Sequence, residues 1–299
     1  MRRKIIYLIN PISGTRGKTS LKELVVSKTK ERKIPFEVLP TMIDGDYRFL
    51  KSKIKDDGIT DIVVCGGDGS VNAVVHSLAD MDVNFGIVPM GSGNGLAYAA
   101  GIPKNSAKAL DIVFDGKPLP TDAFLVNEKF ACMLCGLGFD AKVAHEFAEQ
   151  PKRGLATYAS LTTRNFFSAK AYPFKVKANG LSFTTEAFFI SVANSNQFGN
   201  NFTIAPQAEL SDGMLDVVIV KKIAKPLLLL TVLKQVIAGK IKKVENSLRS
   251  PVIYFQTDNL VIENIAEAPL HIDGEPRESI KNLAIRILPH HFKLIHPSS

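Results

Sequence analysis

Asp61 to Asn72 reads Asp-Ile-Val-Val-Cys-Gly-Gly-Asp-Gly-Ser-Val-Asn, and it restricts the fold more than any other stretch of the chain. Ile62 to Cys65 are apolar and largely β-branched with no alternation, the pattern of a parallel strand buried on both faces. The run stops at Gly66, Gly67, Asp68 and Gly69, and the spacing of Val71, Val74, Val75 and Leu78 predicts a helix from near Ser70. A strand that ends, turns on glycines and starts a helix can present bare backbone N–H groups to an anion, phosphate above all. Asp68, the acidic group at the tip, suits Mg²⁺ held on nucleotide phosphates, whereas an ordinary tight βα turn would need fewer glycines.

The same rhythm surrounds this segment. Residues 4 to 9 read as a first strand leading into Asn10, Pro11, Ile12, Ser13 and Gly14, a polar loop before a helix over roughly 18–33. Gly17, Lys18 and Thr19 imitate a P-loop, but the required first glycine falls at Ile12, so that pattern fails. Phe36 to Leu39 read as a second strand with Thr41 just beyond it, then a helix over 44–57, and Phe85 to Val88 as a fourth strand. The fourth runs into Gly91-Ser92-Gly93-Asn94-Gly95 before a helix near Leu96, and a dinucleotide fingerprint would need glycine where Leu96 stands. Strand, polar turn and helix in repetition imply a parallel sheet with turns 10–17, 66–70 and 91–95 along its carboxyl edge.

Near Pro118 the pattern changes to short strands, at about 121–127, 129–139, 173–178, 181–194, 214–220, 251–256, 259–264, 268–273 and 281–288. Helical breaks fall at 140–149, 154–169 and 226–239. This reads as an α/β domain over 1–120 and a β-sandwich domain over 121–288, with a tail, 289–299, that can return to the first and a cleft between the two. Two acidic turns stand out in the second half. Glu209-Leu210-Ser211-Asp212-Gly213-Met214 precedes a strand and by itself could be only a turn. Asp273-Gly274 fits a hairpin turn, but Glu275 beside it on a strand end is a good place for a general base.

Composition limits the classes available. With 299 residues, 45% hydrophobic and 22% charged, the chain is a soluble globular type with room for a large core. The opening Met1-Arg2-Arg3-Lys4 followed by Ile5 to Ile9 is too short an apolar run for a signal peptide, and Pro226 to Leu233 is too short to span a bilayer. Three cysteines point to a reducing compartment; Cys132 and Cys135 lie in a strand-like apolar run with no second pair at zinc spacing, and read as core thiols. The net charge of +8 favours an anionic partner. Without a basic-aromatic patch, nucleic acid is a poor candidate.

Asn10 to Gly14, Gly66 to Gly69 with Asn72, Gly91 to Asn94, Ile204 to Asp216 and Asp273 to Glu275 occur in order and at separations that resemble the diacylglycerol kinase catalytic-domain family, which includes bacterial lipid kinases, sphingosine kinases and ceramide kinases. Gly-Gly-Asp-Gly alone is weaker, since NAD kinases and phosphofructokinases carry it too. The resemblance implies a Rossmann-like ATP-binding domain, a C-terminal β-sandwich, and transfer of the γ-phosphoryl group of ATP to a lipid hydroxyl. It places ATP contacts at Asn10, Pro11, Ile12, Ser13, Gly14, Thr41, Gly66, Gly67, Asp68, Gly69, Ser70, Val71, Asn72 and Ser92. It also implies Mg²⁺ at Asp212 with main-chain groups of Glu209 and Met214, and catalysis at Glu275 with Asp273 and Asp68. Ser70 replaces a common threonine but keeps the hydroxyl. The Gly91–Ala97 turn is closer to the sphingosine and ceramide kinase version, which leaves the acceptor lipid open.

A lipid acceptor implies a cytoplasmic protein that can lie peripherally on the inner face of the membrane, with a homodimer left open. Residues 221–243 join basic ends to an apolar centre, either to rest on an anionic leaflet or to pack on the sandwich with solvated lysines. The rival functions are a sphingoid-base or other lipid kinase, a soluble-substrate kinase of the NAD kinase type, and a catalytically silent lipid-binding module.

Overall fold

A computed structural model describes residues 3–9, 18–151, 155–199, 202–203, 205–222 and 250–298. Asn10 to Gly14, Ile204, the helix expected over 226–239 and nearly all of the 221–243 stretch lie outside them. The chain divides into two compact units, residues 1–121 with 290–299, and residues 122–289.

The first unit contains β1 (Ile5–Ile9), α1 (Lys18–Glu31), β2 (Phe36–Pro40), α2 (Leu50–Asp57), β3 (Asp61–Gly66), α3 (Asp68–Leu78), β4 (Asn84–Pro89), α4 (Gly95–Ala99) and α5 (Ser106–Asp115). Its strands pair in parallel in the order β2-β1-β3-β4. β3 is buried along its whole length, which is why its residues show no alternation. Register brings the carboxyl ends together: Ile9 faces both Pro40 and Cys65, and Gly66 faces Pro89. Two expectations are corrected here. The helix expected from 44 starts only at Leu50, because Asp44 Oδ1 accepts the Asp46 N–H and Asp46 Oδ1 the Arg48 N–H, local turns that compete with helix. α5 was not foreseen, although Asn105 caps it by accepting the Lys108 N–H and Ala109, Leu110 and Val113 form its buried side.

The second unit contains the second half of β5 (Lys117–Val126), then β6 (Lys129–Ala131), β7 (Leu134–Gly138), α6 (Phe139–Ala148), α7 (Leu155–Ser168), β8 (Tyr172–Ala178), β9 (Leu181–Ala193), β10 (Gln197–Gly199), β11 (Phe202–Thr203), β12 (Leu215–Lys221), β13 (Val252–Thr257), β14 (Asn259–Asn264), β15 (Leu270–Ile272), β16 (Glu275–Arg277) and the first part of β17 (Asn282–His296). Antiparallel pairing runs β16-β15-β7-β9-β8-β14-β17, with β12 joining β9 to β13. Its core gathers Phe124, Phe174, Ile190, Val217, Ile262 and Leu283, among others. The single strand expected over 129–139 is broken at Cys132 and Met133. β17 runs past the expected end at 288, and within the first unit its Lys293 and Leu294 pair in parallel with Asn84 and Phe85 of β4. The cysteines are free and buried, as core thiols should be.

The glycine turns after β3 and β4 touch one another. A Cβ on Gly91 would lie 2.6 Å from the Gly67 Cα and 3.0 Å from Asn94 Oδ1, and one on Gly66 would lie 2.8 Å from the Ser70 Cβ. Gly91→Ala is therefore expected to lower stability by about 1–3 kcal/mol, because backbone must move to admit the methyl group. Thermal unfolding checks this; an unchanged Tm contradicts the packing.

Candidate active site

At the carboxyl edge of the parallel sheet, Gly66 ends β3, Gly67 precedes α3, and Asp68, Gly69, Ser70, Val71 and Asn72 form its first turns. The helix starts two residues earlier than the apolar spacing indicates, which puts Asp68 in the first turn, where helix dipoles favour a carboxylate. The Asp68 carboxylate accepts the N–H groups of Gly95 at 3.1 Å and Leu96 at 3.3 Å, tying α3 to the start of α4. Asn94, in the left-handed region with φ 54°, closes the second turn: its Oδ1 accepts the Gly91 N–H and its Nδ2 donates to the Gly91 carbonyl. Ser92 lies in this turn. Thr41 is buried just past β2, its N–H donating to the Ile9 carbonyl. The described residues among those expected to contact ATP thus share one sheet edge. Their glycines serve packing between turns.

Glu209, Asp212 and Met214 lie on the turn before β12. Met214 N–H donates to Asp212 Oδ1 at 3.0 Å, and Gly213 N–H donates to Asp122 Oδ2 at 2.7 Å. Desolvation raises the Asp212 pKa, and the Glu209 and Asp122 carboxylates add to the rise against the Met214 N–H. Among the described residues, no group of three His, Cys, Asp or Glu side chains is placed to hold a metal ion. A site with one carboxylate and main-chain oxygens is of a different kind, and the surplus negative charge around Asp212 fits a hard cation there. Asp216, fully buried, accepts from the Tyr254 hydroxyl, whose pKa is raised by burial and then by that carboxylate.

The Asp273–Gly274 turn has φ of 49° and 78° and joins β15 to β16, with Ile272 opposite Glu275. The two carboxylates beside it have unlike surroundings. Asp273 is buried, and its oxygens accept the N–H groups of Cys132, Met133 and Leu134 at 2.8, 2.9 and 3.0 Å. Those bonds are what interrupts the strand at 132–133. Glu275 is exposed as the first residue of β16. The Cys135 thiol is pushed up by burial, then by Asp273 and Asp140, so it stays protonated. Sequence reasoning assigned no role to Asp122, Asn94, Asp140 or His271. Gly136, opposite His271 in the β7–β15 ladder, was the one local signal for the last two.

The chain matches the diacylglycerol kinase catalytic domain over residues 4–126 and the YegS C-terminal NAD kinase beta sandwich-like domain over residues 134–296. It is 28% identical over 288 residues to a probable lipid kinase YegS-like protein of Xanthomonas oryzae pv. oryzae, covering 91% of this chain and 90% of that one. A probable lipid kinase YegS-like protein of Pseudomonas aeruginosa is 29% identical over 260 residues, covering 86% and 83%. A crystal structure of a diacylglycerol kinase from Bacillus anthracis superimposes with a TM-score of 0.75 at 21% identity, over 98% of this chain and 97% of that one, a likeness of fold. Among the described residues no helix is long and apolar enough to cross a membrane. With both halves of the chain matched in order, a parallel α/β unit followed by a β-sandwich-like unit, the protein belongs to the diacylglycerol kinase catalytic-domain family with a YegS-type C-terminal domain.

Proposed function

We propose that the protein is an ATP-dependent lipid kinase that transfers the γ-phosphoryl group to a lipid hydroxyl, as in diacylglycerol. The observation that carries this reading is the division of labour at the Asp273–Gly274–Glu275 turn. One carboxylate is buried and occupied by three N–H donors, and the other is exposed on a fixed strand end. The names of the relatives support a lipid acceptor.

Asn10–Gly14, Thr41, Ser92 and the leading N–H groups of α3 hold the nucleotide, the helix dipole favouring phosphate charge. Asp68 keeps the two glycine turns together and so positions those donors. Glu275 accepts the proton of the acceptor hydroxyl as its oxygen bonds to the γ-phosphorus and the bond to the ADP oxygen breaks. Asp273 fixes the turn from which Glu275 projects. Asp212, with main-chain oxygens of Glu209 and Met214, would hold Mg²⁺. When bound, such a cation would supply positive charge that offsets the carboxylates of this turn.

Labelled ATP offered with diacylglycerol, monoacylglycerol, a sphingoid base and ceramide in separate mixed micelles, and with NAD in a further tube, tests the reading. One lipid is expected to take the label, and Glu275→Gln, an exposed and near-isosteric change, to slow the transfer by about 10²- to 10³-fold. Label only in NADP, or a wild-type rate in the variant, contradicts it. For the cation, MgCl₂ is expected to raise the Tm of the wild-type chain and not that of Asp212→Asn; equal shifts in both place the ion elsewhere.

A further inference from the structure

His271 and Asp140 form a buried pair behind the Glu275 turn that the proposed transfer does not use. His271 is the middle residue of β15. Its neighbours Leu270 and Ile272 belong to the apolar core, so its ring faces the other side of the strand, where α6 packs. There Nε2 lies 3.5 Å from Asp140 Oδ2, and Nδ1 faces the Gly274 N–H at 3.3 Å. Asp140 is itself held: Oδ1 accepts the Ala141 N–H at 2.8 Å, and the residue sits in the first turn of α6, where helix dipoles favour its charge. The fold makes room for the pair. Gly136 is the partner of His271 in the ladder, and a Cβ there would collide with Asp140 Oδ2 and lie 2.5 Å from His271 Nε2. α6 grips the same strand once more through His145 Nε2, 2.7 Å from the Leu270 carbonyl oxygen.

An imidazole that accepts at Nδ1 carries its proton on Nε2, and here Nε2 faces a carboxylate. We propose that Asp140 and His271 are positioning residues: Asp140 holds His271 as the Nε2–H tautomer, so that Nδ1 accepts the Gly274 N–H and fixes the turn from which Glu275 projects. No proton moves along this chain. The inference deepens the lipid kinase reading and rests on it only for the kinetic part of its test.

The tautomer is read without activity, from long-range ¹H–¹⁵N correlations of the histidine rings in the full chain. The wild type is expected to show neutral Nε2–H for His271, and Asp140→Asn a shift away from it. In the transfer assay, Asp140→Asn and His271→Ala are expected to lower kcat about 10- to 100-fold, with the KM for ATP within about 2-fold, because the misplacement affects the base alone. His271→Asn, whose amide oxygen falls near the Nδ1 position, is expected to recover part of that loss, and a purely structural role would give no such rescue. An Nδ1–H tautomer in the wild type, or wild-type kcat in folded Asp140→Asn, overturns the proposal. The Nε2–H tautomer with no lipid labelled by the wild type would support the pair and remove the lipid kinase reading instead.

Discussion

Three backbone N–H groups converge on one buried carboxylate, and the hairpin that carries the proposed base depends on that contact. Charge-assisted bonds from Cys132, Met133 and Leu134 to Asp273 join the break between β6 and β7 to the hairpin of β15 and β16. Buried N–H groups must find acceptors, and at this break the sheet ladder does not provide them. The same interaction therefore satisfies the interrupted strand and sets where the hairpin turns. Glu275 follows two residues later. A general base works from a fixed position, and the one proposed here sits beside a turn with little freedom left.

The first unit solves a similar problem with glycine in place of a buried acid. Two βα turns on neighbouring parallel strands approach until Gly67 and Gly91 meet at their Cα atoms, and Asp68 and Asn94 secure the contact through backbone N–H groups. Side chains at those positions would separate the turns. The glycines proposed to admit phosphate thus also allow these two turns to meet. The acid read first as a cation ligand also caps a short helix.

Much of this was legible because the physics was local. Four apolar residues without alternation, then glycines, then helical spacing suffice to place β3 and α3 from Asp61 onward. Local competition was harder to see: Asp44 and Asp46 turn the chain where spacing predicted helix, and Asn105 caps an unforeseen helix. The different surroundings of Asp273 and Glu275 were not legible in any window of sequence, since the donors that occupy Asp273 lie about 140 residues earlier. The same holds for Asp122 beside the Asp212 turn and for His271, which as a lone histidine in an apolar strand looks like core. The family motifs marked Asp212, Asp273 and Glu275 as acids of interest. Tertiary structure separates their surroundings.

The most direct measurement is hydrogen exchange on wild type and Asp273→Asn, followed peptide by peptide. An amide side chain retains one acceptor oxygen, so one or more of the three donors loses its partner. The structure calls for faster exchange at 132–134 and at 273–277 in the variant, with 61–96 unchanged. Unchanged protection at 132–134 would contradict the claim that this carboxylate holds the hairpin.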